Sequence, residues 1–210
     1  MSTPKSASGP TEGYVRFQAQ WTETGPPRHD RLSELDSLRT RLWDRGWIGA
    51  TPEGVGFGNL SLRDHGSTFI ITGTATGADR VLGPRGYTLV TAVHRSRNTV
   101  VCQGPVRASA ETMSHAAIYE AHPRVTCVIH IHSGDLWRRG LELNWPATPV
   151  QAEYGTPGLA DAIAALVRAR DRPRGTLVLA GHQDGILSFG RDPRDAEEEL
   201  LAVRRLAQPG

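Results

Sequence analysis

The stretch VIHIHSGDLW, residues 128–137, places two histidines two positions apart at the end of an apolar, β-branched run. β-Branched residues favour strands, and successive side chains of a strand project to opposite faces. His130 and His132 therefore share one face with Val128, whereas Ile129 and Ile131 project to the other face, into a core. The segment is predicted to be a strand with one apolar face and one face that presents imidazoles.

Two imidazoles on one strand face lie about 7 Å apart along the backbone, and they can converge on one metal ion if their rings tilt inward. A catalytic Zn²⁺ site has three protein ligands and one open position. His182, in the sequence AGHQDG, is the candidate third ligand because it follows a strand predicted at 176–180, where a loop begins. A structural role for the pair stays open, since imidazole is ordinary in strands and hydrogen-bonds readily.

Glu111 falls in the first turn of the helix predicted directly before the histidine strand. A carboxylate there can simply complement the helix dipole. It can also lie within reach of the metal and move protons at a carbon next to a carbonyl group. His115 follows Glu111 by four residues, and a helical i,i+4 contact explains that spacing without catalysis.

Length and charge limit the class of protein. With 210 residues the chain can bury one core, and its 24 basic and 22 acidic residues form no long basic run, so neither nucleic acid nor a membrane is expected as a partner. The polar N-terminus does not resemble a secretory signal, and the two cysteines form no CxxC, so a reduced cytoplasmic protein is expected. We expect a flexible N-terminal extension over residues 1–27 and one domain over 28–210.

The patterning predicts strand pairs joined by tight turns, with helices between them. Residues 14–21 alternate like a short edge strand, and Leu32, Leu35, Leu38 and Leu42 have helical spacing within 30–45. Ser109 is expected to cap the helix that ends before Pro123, and Thr156 with Pro157 to open the next one. This order of elements indicates an α/β fold with layers around a largely antiparallel sheet.

Six motifs occur in the order and rough spacing of the class II aldolase/adducin family, which the chain resembles over about residues 31–200. They are GNLS at 58–61, TGTATG at 72–77, SAE at 109–111, VIHIHS at 128–133, YGTPGLAD at 154–161 and GHQDGILSFG at 181–190. The resemblance implies a three-layer α/β/α sandwich around a mainly antiparallel sheet. It also implies a homotetramer with active sites between subunits.

The resemblance implies a role for each matching residue. His130, His132 and His182 would bind Zn²⁺, with Fe²⁺ or Mn²⁺ as alternatives, and Glu111 would be the acid/base. Four further positions would bind a substrate phosphate: Asn59, Thr72, Gly73 and Ser109. Backbone amides, small hydroxyls and a helix N-terminus can form such an anion site without lysine.

The chain departs from the family pattern around the substrate. Its phosphate loop, TGTATGA, is longer, Ala110 replaces a second serine, and neither the segment after His132 nor the end RLAQPG carries the family's catalytic tyrosine. Tyr154, Glu153 and Asp135 are the candidates to replace that proton donor, although each can equally serve as a loop or cap residue. The substrate is therefore expected not to be a standard sugar phosphate.

Three functions remain open. The first is a metal-dependent lyase with retro-aldol or enediolate chemistry on a small hydroxy-ketone or sugar-phosphate-like substrate. The second is an Fe²⁺-dependent oxidative decarboxylase, an epimerase or a dehydratase on the same three histidines, since imidazole binds zinc and iron alike. The third is a non-catalytic, adducin-like scaffold, which the retained histidines and glutamate disfavour.

Overall fold

A computed structural model of the chain describes residues 15–207. Residues 1–14, on which much of the predicted flexible extension falls, lie outside the described residues. Ten strands are present in this range: β1 Gln18–Glu23, β2 Gly49–Ala50, β3 Gly56–Phe57, β4 Asn59–Arg63, β5 Phe69–Thr72, β6 Tyr87–His94, β7 Thr99–Gly104, β8 Cys127–His132, β9 Gly175–Val178 and β10 Gly185–Gly190. Five α-helices accompany them: α1 Leu32–Asp44, α2 Thr112–Ala121, α3 Gly134–Glu142, α4 Pro157–Arg170 and α5 Pro193–Ala207.

Eight of the strands form one sheet in the order β1-β7-β6-β5-β4-β8-β10-β9, and β2 pairs with β3 in a separate hairpin. Every neighbouring pair in the large sheet is antiparallel except β1 with β7, which are parallel. The predicted largely antiparallel sheet is confirmed, and so is the edge strand near the N-terminus. β8 lies inside the sheet with β4 on one side and β10 on the other, so backbone hydrogen bonds hold the histidine strand on both edges.

The two faces of β8 belong to two different apolar clusters. Val128 packs in a cluster that includes Met113 of α2 and Ile163 of α4. Ile129 and Ile131 pack in the other cluster, with the leucines of α1 and with residues of α3 and α5. The alternation predicted for this strand is therefore confirmed. Leu32, Leu35, Leu38 and Leu42 are all buried, which confirms the predicted face of α1.

The start of α2 differs from the prediction. Ser109 is not the cap: the helix begins at Thr112, and Glu111 occupies the N-cap position. The Ser109 carbonyl oxygen instead accepts hydrogen bonds from the backbone N–H of Thr112 at 3.1 Å and from its hydroxyl at 2.6 Å. The predicted start of α4 is confirmed, since Thr156 Oγ1 accepts from Leu159 N–H at 3.3 Å and Pro157 is the first helical residue.

Two elements were not predicted from the sequence, the β2–β3 hairpin and helix α3. Trp137 of α3 donates its indole N–H to the carbonyl oxygen of Leu179 at 2.9 Å, which ties α3 to the segment after β9. Trp137 and Trp145 both pack against the cluster of Ile129 and Ile131. Within residues 15–207, none of the helices has the length and apolar character that crossing a membrane would require.

Candidate metal centre and its cavity

Three histidines converge at the end of β8. His130 and His132 come from β8 itself, and His182 lies in the turn between β9 and β10. One ring nitrogen of each lies within 4.8 Å of the other two, and the Nε2 atoms of His130 and His132 are 3.1 Å apart. His130 and His182 are buried, and His132 is half-buried. The structure thus brings together all three residues that the sequence proposes as ligands.

The ring of His130 is oriented by a backbone hydrogen bond. Its Nδ1–H donates to the carbonyl oxygen of Ile186 at 3.1 Å, which leaves Nε2 as the nitrogen that faces the other two rings. Metal-bound histidines commonly donate their second ring N–H in this manner, because the bond fixes both tautomer and ring orientation. The neutral form with a lone pair on Nε2 is the form that binds a metal.

The turn that carries His182 needs a glycine at its end. A Cβ at Gly185 would lie 3.2 Å from Cγ of His182 and 3.3 Å from Cε1 of His130. Asp184 has a positive φ of 64°, and the N–H of Gly185 donates to the His182 carbonyl oxygen at 3.0 Å. The tight turn therefore holds His182 close to β8, and a side chain at Gly185 would contact both the His182 and the His130 ring.

Glu111 reaches the same point from the N-terminus of α2. Its carboxylate is 3% exposed, with Oε2 at 2.8 Å from His130 Nε2 and Oε1 at 3.2 Å from His182 Nδ1. Burial alone would raise the pKa of Glu111. The positive charge that His130 and His182 carry when they are protonated outweighs burial, and it then holds the pKa of this carboxyl well below its usual value.

These residues fit a divalent metal ion. A buried carboxylate and three imidazole nitrogens converge within contact distance, an arrangement that is costly to bury unless a cation or protons balance it. Imidazole and carboxylate groups are ligands that Zn²⁺, Fe²⁺ and Mn²⁺ all accept, so this ligand set alone does not select among them.

A cavity of about 240 Å³ opens beside His130 and Glu111. Its wall combines the β2–β3 hairpin and the start of β4, the loop after β5 and the residues before α2. The lining residues are Gly54, Val55, Gly56, Phe57, Gly58, Asn59, Gly73, Thr74, Ala75, Thr76, Gly77, Ser109, Ala110, Glu111, His130 and Tyr154. The wall is therefore built mostly from backbone and small side chains.

The predicted phosphate-binding residues have different surroundings. Asn59, Gly73 and Ser109 line the cavity, and the buried Asn59 Oδ1 has no hydrogen-bond partner among residues 15–207. Thr72 is buried, and its hydroxyl accepts a hydrogen bond from the Leu60 N–H at 3.2 Å, within the sheet.

Among the three candidate proton donors, Tyr154 alone lines the cavity. It is buried, and its ring meets that of His182 edge to face, with ring centroids 4.7 Å apart. Glu153 and Asp135 are exposed and pair with Arg16 and Arg138. Phe57, which the sequence did not indicate, packs on the His132 ring at a centroid distance of 5.5 Å.

His115 makes the helical i,i+4 contact with Glu111 through the backbone, since its N–H donates to the Glu111 carbonyl oxygen at 3.3 Å. Its Nδ1 hydrogen-bonds the Ser61 hydroxyl at 2.7 Å, and the same hydroxyl lies 2.7 Å from the Tyr119 hydroxyl. Burial lowers the pKa of His115 to about 3. This histidine is therefore a neutral part of the packing beneath the cavity.

Comparison with known proteins identifies the family. Residues 34–137 match the family described as Class II Aldolase and Adducin N-terminal domain. The fold matches L-fuculose-1-phosphate aldolase from Thermus thermophilus with a TM-score of 0.62 and 18% identity, over 84% of this chain and 90% of that one. It matches YgbL from Klebsiella pneumoniae with a TM-score of 0.62 and 22% identity, over 83% and 85%. The chain belongs to the class II aldolase/adducin family.

Two curated relatives have higher sequence identity to this chain than the solved structures do, but over a shorter aligned range. Methylthioribulose-1-phosphate dehydratase of Bacillus pumilus is 33% identical over 111 residues, which are 51% of this chain and 47% of that protein. The dehydratase of the same name from Marinobacter nauticus is 34% identical over 92 residues, 44% of this chain and 39% of that protein. The chain thus spans less than half the length of the curated relatives it matches.

Proposed function

We propose that the protein is a divalent-metal-dependent lyase that acts on a small hydroxy-ketone with an anionic end. The observation that carries this proposal is the convergence of His130, His132 and His182 beside Glu111, since His130 and Glu111 also line a cavity of about 240 Å³. A non-catalytic scaffold would not be expected to bring these four groups together, because burying polar and charged side chains without a bound ligand lowers the free energy of unfolding.

The three histidines would hold the metal, and a bound divalent cation supplies Lewis-acid stabilisation of negative charge on substrate oxygens. Glu111 is buried beside His130 and His182, and its carboxylate would accept a proton from the carbon next to the substrate carbonyl and return it later. Tyr154, which lines the cavity, would donate a proton to the departing oxygen. The loop after β5 and Asn59 would orient the far, anionic end of the substrate.

Dehydration is the reaction we favour. It would remove one carbon-bound proton and one hydroxyl group as water, which needs a base such as Glu111 and a donor such as Tyr154. The names of the two curated relatives support this choice. Methylthioribulose-1-phosphate is accordingly the first substrate to test, with fuculose-1-phosphate as the aldol alternative.

Several finer features belong to the same proposal. A three-layer α/β/α arrangement is supported by the two apolar clusters, which contain opposite faces of β8. A homotetramer with sites between subunits, zinc as the metal and a cytoplasmic location remain our proposals. A single domain is proposed as well, but it has to include β1, which pairs with β7 in the large sheet, and so it begins before residue 28. Size-exclusion chromatography with light scattering would test the tetramer directly.

The first experiment is elemental analysis of untagged protein purified without added metal. We expect about one zinc per chain, lost in His130→Ala and in His182→Ala but kept in the control His65→Ala, whose side chain is 95% exposed. Iron at that level, together with oxygen consumption, would replace the lyase proposal with an oxidative one. Absence of metal after reconstitution would refute the metal centre.

The second experiment is turnover by the metal-loaded protein. We expect release of water from methylthioribulose-1-phosphate or a similar hydroxy-ketone, and no aldolase-like rate with fuculose-1-phosphate. Rapid cleavage of fuculose-1-phosphate would show that the substrate is a standard sugar phosphate after all.

A further inference from the structure

Arg39 is a buried cation that the metal centre does not use. It lies on α1, is 1% exposed, and its guanidinium bonds carbonyl oxygens rather than carboxylates. Nη2 donates to the Thr76 oxygen at 2.8 Å, and Nη1 donates to the oxygens of Asp79 at 2.6 Å and Arg80 at 3.2 Å. All three acceptors belong to the loop of residues 73–80, which we call the cavity loop.

The rest of α1 holds the same loop. Trp43 lies one turn after Arg39 and donates its indole N–H to the Gly77 oxygen at 3.1 Å. Asp44 accepts two hydrogen bonds from the Arg80 guanidinium, at 2.7 and 2.9 Å. Side chains from successive turns of one helix thus fix a loop that has no regular secondary structure of its own.

The other side of the cavity loop rests on the β2–β3 hairpin. A Cβ at Gly77 would lie 2.0 Å from the Gly49 oxygen and 2.8 Å from the Gly56 Cα, so the two backbones are in direct contact. The loop is therefore held between α1 and the hairpin, and its residues from Gly73 to Gly77 line the cavity.

Among the described residues, the cavity lining includes no Lys or Arg. No basic side chain is therefore available there to bind an anion, and the loop becomes important for that reason. An anionic group there would be bound by Asn59, small hydroxyls and backbone N–H groups, whose positions depend on the loop conformation. The N–H groups of Gly73 and Thr74 already donate to the carbonyl oxygens of Gly86 and Arg107, so the amides of residues 75–77 are the candidates. In a planar trans peptide the C=O and N–H point in opposite directions. When Arg39 attracts the Thr76 carbonyl, the N–H of Gly77 consequently points away from α1.

We propose that Arg39 and Trp43 are positioning residues, which hold the carbonyl groups of the cavity loop so that its amides form the binding site for the anionic end of the substrate. The proposal rests on the proposed function, since it assigns the anion subsite of the same cavity. It also gives a role to the longer loop in this chain, TGTATGA. Neither side chain is expected to touch the substrate.

The test measures binding of inorganic phosphate to metal-loaded protein by calorimetry, beside KM and kcat for methylthioribulose-1-phosphate. We expect Arg39→Lys and Arg39→Met to raise the phosphate Kd and KM by about tenfold, and Trp43→Phe by about threefold, because displaced amides lose their alignment. Metal content should stay at the wild-type level, and kcat at saturation should change by less than about threefold. Arg41→Gln is the matched control: it lies on the same helix and pairs with Glu197 instead.

Trp43→Phe keeps an aromatic ring, so it tests the proposal even if the Arg39 variants unfold. Unchanged phosphate Kd in folded Trp43→Phe and Arg39→Lys would overturn the proposal, and so would a wild-type protein that binds no phosphate. Calorimetry does not need turnover. Phosphate binding that weakens in the variants of an enzyme inactive on every substrate would therefore support the positioning role while refuting the lyase.

Discussion

Acid should destabilise this protein in a manner that depends on His115. The ring is fully buried, its pKa lies near 3, and its Nε2 has no hydrogen-bond partner among residues 15–207. In the unfolded chain the same imidazole titrates near 6.5. Below that pH the imidazole is protonated in the unfolded state but stays neutral in the folded state. The free energy of unfolding therefore falls as the pH decreases towards 3.

The size of this effect follows from the two pKa values. Each pH unit below 6.5 costs about 1.4 kcal/mol, which gives about 2 kcal/mol of lost unfolding free energy between pH 7.5 and pH 5. The assay is urea unfolding of chelator-treated protein at several pH values, for wild type and for His115→Gln. Glutamine can keep the hydrogen bond to Ser61 and cannot titrate, so we expect a flatter pH dependence whatever its absolute stability.

His65→Gln is the control, because that side chain is 95% exposed and should leave the pH dependence unchanged. His115 also interacts electrostatically with Glu111 and His130, so the difference between wild type and His115→Gln includes that interaction together with the loss of the titrating ring. Equal losses in wild type and His115→Gln between pH 7.5 and pH 5 would refute the reasoning.

Three further predictions concern the cavity. Glu111→Gln should keep its metal and lose about 10²- to 10⁴-fold in kcat, measured at saturating substrate; full activity would remove its role as a base. Tyr154→Phe should lower kcat by about tenfold to hundredfold with unchanged metal content, whereas a change in KM alone would assign the hydroxyl to binding. Gly77→Ala should cost about 1–3 kcal/mol of unfolding free energy through its backbone clash, against about 0.5 kcal/mol or less for Gly25→Ala, which meets no atom within 4 Å.

The histidine strand could be predicted because it obeys a simple period. Alternation places His130 and His132 on one face and Ile129 with Ile131 on the other, whatever the neighbours of the strand are. His182 could be predicted because a histidine between glycines at a strand end packs poorly as a core residue. Tyr154 could be named as a candidate only, since its approach to His182 depends on how the loop before α4 folds against the turn after β9.

Other features depend on tertiary contacts that no local pattern reveals. Arg39 occupies an ordinary position in a leucine-spaced helix, and its burial arises because distant carbonyl groups surround the guanidinium. The sequence predicts the cap of α2 at Ser109 because serine is a preferred N-cap residue. In the structure Glu111 takes that position instead, which allows its carboxylate to turn towards His130 rather than along the helix.

The parallel edge strand has a practical consequence for anyone who shortens this protein. Arg16 precedes β1, forms an ion pair with Glu153 at 3.1 Å, and its side chain lies where a Cβ at Gly155 would meet it at 3.3 Å. Both neighbours of Tyr154 therefore contact the segment that leads into β1. A protein cut at residue 28 would lose the strand beside β7 and, at the same time, the support on either side of the tyrosine. Loss of activity after such a cut would reflect a loosened cavity wall rather than a missing catalytic group.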